Sequence, residues 1–179
     1  MIFGGFSALW TGVALLLTGP EYGLGASAVG VLALVNAATM LCMPIAGRQV
    51  DRRGSDAVNL VCMVAVLVAA AVLFAGDLGG AAGLAALAVG SLLLDVAMQS
   101  GTVANQVRIF GLSDEARARL NTAYMTCAYL GGSVGSWLSV HAYGAFGWPG
   151  VCGLVALLAT LALLRHLAHM RGAGSLTRP

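Results

Sequence analysis

Charge is what this chain has least of. Of 179 residues, 9% are charged, against about 25% in a soluble domain. Hydrophobic residues make up 59% of the chain, with a mean hydropathy of +0.90. That balance excludes an ordinary soluble domain and implies an integral membrane protein. Lysine is absent, so all nine basic residues are arginine, and a formal charge of +2 is too small to point to nucleic acid. The four cysteines (Cys42, Cys62, Cys127 and Cys152) lie in or at the ends of apolar segments without CxxC spacing. They read as small buried hydrophobes rather than metal ligands or disulfide partners. No cofactor is indicated. No charged n-region or small-residue cleavage site precedes the first apolar segment, so no signal peptide is expected.

Six apolar segments are long enough for about 30 Å of hydrocarbon, which makes the expected fold all-α and polytopic with six transmembrane helices. They run over about 2–18, 27–46, 57–75, 81–108, 120–143 and 151–167, and form one bundle within 1–170. Gly19-Pro20 and Gly79-Gly80 mark breaks between them. A charged loop is expected over Gly47 to Asp56. Ser113 is placed to cap a short helical piece before the fifth segment. The third segment reads as plain Val, Leu, Ala and Met with one Cys, and the sixth is similarly plain. The polar tail, 171–179, is expected to be disordered.

Arginine position orients the chain. Arg48, Arg52 and Arg53 follow the second segment, Arg108, Arg117 and Arg119 link the fourth to the fifth, and Arg165, Arg171 and Arg178 end the chain. The alternate loops hold none. A split of nine to none is a positive-inside signal, with both termini cytoplasmic and the protein in the cell (inner) membrane. Segments one, two, four and five carry polar or small residues and three and six do not, a pattern that fits a three-plus-three repeat.

The fourth segment carries the main chemical signal. Ser91, Asp95, Gln99, Thr102 and Gln106 follow at helical steps of four, four, three and four. At about 100° per residue they share an arc of roughly 80°, with Asn105 at its edge. A carboxylate near the bilayer centre costs roughly 2.5–3.5 kcal/mol, so the stripe should face protein or water. Asp95 has three readings: a proton-coupling acid, neutral when dry and ionised when wet; a holder of a cationic substrate; or a structural carboxylate bonded by Gln99. The amide and hydroxyl residues below it serve equally as helix-packing groups. Trp10, Tyr124 and Tyr129 can line a cavity, whereas Tyr143 and Trp148 fit an outer aromatic belt. Gly131 with Gly135, and Gly132 with Ser136, are small-xxx-small pairs that permit close helix approach. His166 and His169, beside Arg165, read as headgroup contacts.

Gly47, Asp51, Arg52 and Gly54 have the spacing G-x-x-x-D-R-x-G. Gly47 reads as ending a helix, and Asp51 as capping or facing a helix N-terminus. The run resembles motif A of the major facilitator superfamily, although Ser55 and Asp56 stand where that family usually has basic residues. Asp95 occupies a place where an N-terminal half usually has arginine. The fifth segment, Gly131-Gly132-Ser133-Val134-Gly135-Ser136, lacks the G-P pair of N-terminal halves. Stretches from Phe6 to Thr11, Val103 to Ile109 and Leu120 to Met125 resemble the seventh, tenth and eleventh helices of bacterial efflux-type members. Across essentially the whole chain, then, the sequence resembles the C-terminal six-helix half of such a transporter. The resemblance implies that the first and fourth helices line a central cavity, the second and fifth pack on a complementary N-terminal half, and the third and sixth face lipid. It implies also that Asp51 meets a helix of that other half.

The function expected is proton-coupled efflux of a small amphiphilic compound. Asp95, Gln99, Thr102, Asn105, Gln106, Trp10 and Tyr124 would form the pathway, and Gly47, Asp51, Arg52 and Gly54 the gate. The partners expected are lipid, protons, substrate and either the complementary half or a second copy. The alternative is a six-helix scaffold or remnant that does not transport. An intramembrane serine protease is disfavoured: Ser100-Gly101 lacks the preceding glycine, and no histidine lies mid-membrane in the sixth segment to activate a hydroxyl. Enzymatic activity is not expected.

Overall fold

A computed structural model describes residues 2–113 and 115–175. They form five helical runs: α1 (Ile2–Thr18), α2 (Ala26–Arg53), α3 (Ser55–Leu78), α4 (Gly80–Phe110) and α5 (Arg117–Ser175). The chain is an all-α, multi-pass membrane protein, since α2 to α5 are long and apolar enough to cross a bilayer. The expectation of six separate spanning helices is corrected on two counts. Helix α1 has 17 residues, or about 26 Å, short of the usual span. The expected fifth and sixth segments are one run, interrupted at Gly147 (φ 65, ψ −154). Only glycine enters that left-handed region freely, and Pro149 restarts the helix behind it.

The run folds back on itself at that break. Gly4 of α1 lies against Gly131 and Gly135 of the first arm, and Gly19 near Tyr143, so α1 and that arm run side by side. Gly12 lies against Val151, Gly5 near Val155 and Gly4 near Leu158, so the second arm returns in the opposite direction. A Cβ at Gly12 would come within 2.6 Å of Val151, and at Gly132 within 2.9 Å of Phe3. At Gly135 it would collide with the Gly4 backbone. The small-residue face of the fifth segment therefore lets α1 approach closely, with Gly132 and Gly135 carrying the contact. Hydroxyls fasten it. Ser139 Oγ donates to Ala8 O at 2.6 Å, and Thr11 Oγ1 to Ser136 Oγ at 3.0 Å.

Helix α2 runs through the expected charged loop, and the reason lies upstream. Pro44 has no N–H to give Met40 O, so Met43 N donates to that carbonyl instead, at the end of a 3₁₀ stretch over Ala38–Cys42. A fresh α-helix, Met43–Arg53, then carries Gly47 in its interior. Gly47 does not end a helix; the link to α3 is Gly54 alone, at φ 81. Asp51 and Arg52 are exposed on the last turn of α2, and no side chain caps α3. Ser113 Oγ does accept from Ala116 N, at 3.3 Å, ahead of α5. The chain is still helical from Arg171 to Ser175, where a disordered tail was expected; 176–179 lie outside the described residues.

One of the two expected belt aromatics is a buried anchor. Trp148 is 1% exposed, and its Nε1 donates to Leu73 O at 2.7 Å, so it is a core residue rather than part of an aromatic belt. Beside it, Tyr22, in the α1–α2 link, donates its hydroxyl to Gly76 O at 2.7 Å. Burial, together with the charges of Glu21 and Asp77, raises the pKa of that hydroxyl and keeps it a donor.

Candidate functional site

Asp95 lies midway along α4, roughly 22 Å from either end. It is 6% exposed and accepts a hydrogen bond from Trp10 Nε1 of α1 at 3.3 Å. Its partner is thus an indole from the other end of the chain, not Gln99. Among the described residues no cation lies within 4.0 Å of it.

The expected single polar face is divided among three neighbours. Ser91 is buried and accepts from Asn36 Nδ2 of α2 at 3.0 Å, while Thr39 Oγ1 donates to Asn36 O at 2.7 Å. Asp95 is taken by α1. Asn105 Oδ1 accepts from Asn59 Nδ2 of α3 at 3.2 Å. Asn59 is 2% exposed, and its Oδ1 has no partner. The third segment is therefore not plain: one amide in its apolar run was the signal that reading passed over.

From Met98 onward α4 borders open space. A cavity of about 470 Å³ is lined on α4 by Met98, Gly101, Thr102, Asn105 and Arg108, and on the first arm of α5 by Tyr124, Cys127 and Ala128. The second arm supplies Ala162, Arg165, His166 and His169. An adjoining lobe of about 240 Å³ shares Phe3, Met98, Thr102 and Tyr124 with it and adds Phe6, Gln99 and Tyr129. Thus the structure brings Gln99, Thr102, Asn105 and Tyr124 to the cavity walls. Asp95, Trp10 and Gln106 are not among the lining residues. Asp95 lies one turn beyond Gln99, behind Trp10, whose ring meets Phe6 edge-on with centroids 6.5 Å apart. Gly47, Asp51, Arg52 and Gly54 are likewise away from both cavities.

The larger cavity opens at the arginine-rich end, where Arg165 and His169 are exposed. A network ties that mouth together. Arg108 NH1 pairs with Asp56 at 2.8 Å, and Arg108 NH2 donates to His169 Nε2 at 2.8 Å. His166 is buried, and its Nε2 donates to Asp56 O at 3.1 Å. His166 is therefore not a headgroup contact, whereas His169 stays exposed with one ring nitrogen engaged. Arginine has no acceptor, so His169 Nε2 must be the bare nitrogen and its proton sits on Nδ1. These residues escaped sequence reading because only the fold-back at Gly147 delivers the second arm to α4. Cys62 and Cys152 are buried as expected, whereas Cys127 is exposed at the cavity wall.

No family model matches the chain, and no solved structure matches it. Curated relatives do exist. The chain is 40% identical over 153 residues to "Probable transporter SCO4007" of Streptomyces coelicolor, covering 84% of this chain and 34% of that protein. It is 33% identical over 152 residues to "Uncharacterized transporter YgaY" of Escherichia coli O157:H7, covering 85% of this chain and 38% of that protein. The chain therefore spans about a third of the length of the curated relatives it matches, and it is homologous to part of each.

Proposed function

We propose that this chain is one helical bundle of a proton-coupled transporter of the major facilitator type, which exports a small amphiphilic compound. The observation that carries the reading is the position of Asp95: an acid at mid-helix, one turn from a cavity, with one hydrogen bond and no counter-cation among the described residues. A charge-assisted hydrogen bond is worth about 1.5–3 kcal/mol, comparable to the roughly 2.5–3.5 kcal/mol cost of an ionised carboxylate at that depth. Wetting of the adjoining space would favour the ionised form and drying the neutral one. Similarity to two proteins named as transporters supports the same reading.

Because the chain spans about a third of those relatives, the proposal assigns transport to an assembly. A complementary set of helices, or a second copy, would cover the exposed face of α2 (Leu34, Leu41 and Ile45). Asp51 and Arg52 lie at the arginine-rich end, where they would meet that partner and bias the opening. By the charge rule this end is cytoplasmic, in the bacterial inner membrane.

The test is proton movement in proteoliposomes carrying the bundle with its complementary helices, challenged with amphiphilic anions, cations and neutral compounds. At least one compound should drive proton flux, and Asp95→Asn should abolish that flux without lowering the amount of folded protein. Wild-type flux in the Asn variant would remove the coupling role. No flux with any compound would favour the alternative reading of a non-transporting six-helix scaffold.

A further inference from the structure

We infer that the larger cavity is a binding site for an amphiphilic anion, whose charged group sits at the arginine-rich mouth and whose apolar body points toward Met98. The inference deepens the transport reading by naming the charge of the cargo, and it rests on that reading for its role in the cell.

Three observations carry it. The charged side chains lining the cavity are Arg108 and Arg165, and neither cavity has a carboxylate among its described lining residues. The polar groups around them present donors. Asn105 has its oxygen occupied by Asn59, which leaves its amide N–H groups. His169 accepts from Arg108 at Nε2, so its remaining ring nitrogen bears a proton. Arg108 uses two of its N–H groups on Asp56 and His169, out of five. Arg165 has no hydrogen bond or ion pair among the described residues. Third, the far wall is apolar, with Phe3, Met63, Met98 and Ala162 leading into the aromatic lobe. A volume of about 470 Å³ lies within the usual small-molecule range.

Arginine clustering at one membrane face needs no ligand to explain it. What that rule does not supply is a donor-rich mouth on a cavity with an oily floor. Arginine also matches carboxylate and phosphate oxygens two at a time. Two sources offer the same chemistry, a soluble alkyl carboxylate or phosphate and the anionic headgroup of a phospholipid.

The experiment is equilibrium binding of radiolabelled octanoate to the purified chain in a neutral detergent, with octylammonium as the matched cation. Octanoate should bind saturably and octylammonium much more weakly. Arg165→Gln should weaken octanoate about tenfold, Arg165→Lys should restore most of the affinity, and all three proteins should unfold at the same temperature, since Arg165 is exposed. In nanodiscs of phosphatidylcholine, added phosphatidylglycerol that competes with octanoate would assign the site to a lipid headgroup. Absence of competition would assign it to a soluble anion; both support an anion site. Equal binding of octylammonium, or unchanged octanoate affinity in Arg165→Gln, would overturn it. Because no transport is measured, these outcomes are independent of the Asp95→Asn flux result.

Discussion

The two ends of the bundle are built on different principles. Toward the end without arginine, glycines let neighbouring side chains seat directly on a helix: Val151 on Gly12, Leu73 on Gly90, Leu87 and Trp148 on Gly76. Toward the arginine-rich end the same helices diverge around two adjoining cavities, and their contacts become polar: Asn59 with Asn105, Arg108 with Asp56 and His169. Asp95 and Trp10 lie at the border between these zones. In hydrocarbon, helices gain little from excluding water and associate through close packing, so one end is closely packed and the other borders open space.

Substitutions that disturb one end and spare the other sharpen that contrast. The largest effect is expected from Trp148→Ala, which empties a buried volume and leaves Leu73 O without its donor. It should cost roughly 3–5 kcal/mol, read as lost unfolding stability in detergent. Gly90→Leu comes next. A Cβ there would already lie 2.6 Å from Leu73 Cγ and 3.2 Å from its backbone N, and overpacking of this kind costs about 1–3 kcal/mol. Gly101→Ala, at the open end, has the smallest effect and the opposite sign. Its Cβ meets nothing nearer than 3.8 Å, and replacing a helical glycine should stabilise by about 0.5–1 kcal/mol. Equal destabilisation by Gly90→Leu and Gly101→Ala would erase the distinction between the two ends.

Much of this was legible from residue order. Apolar run length placed the helices, and the spacing around Asp95 singled out α4. What failed did so for physical reasons. Gly47 reads as a helix end, but a local 3₁₀ turn absorbs Pro44 and the helix continues past Gly47. Trp148 looks interfacial beside the Gly147–Pro149 break, yet the break turns it inward to Leu73 O. The partner of Asp95 lies 85 positions away, and no periodicity within α4 could reveal that an indole from α1 would reach it. Likewise Arg165 and His169 gain meaning only when the second arm packs beside Arg108.

The most direct measurement is an isotope-edited infrared difference spectrum of Asp95 in lipid, with Asp95→Asn as the reference and pH varied from the arginine-rich side. The account requires a protonated-carboxyl band that belongs to Asp95, fades as pH rises, and changes frequency in Trp10→Phe, where the indole donor is gone. A carboxyl that stays in one form at every pH tolerated by the folded protein, indifferent to Trp10, would contradict it.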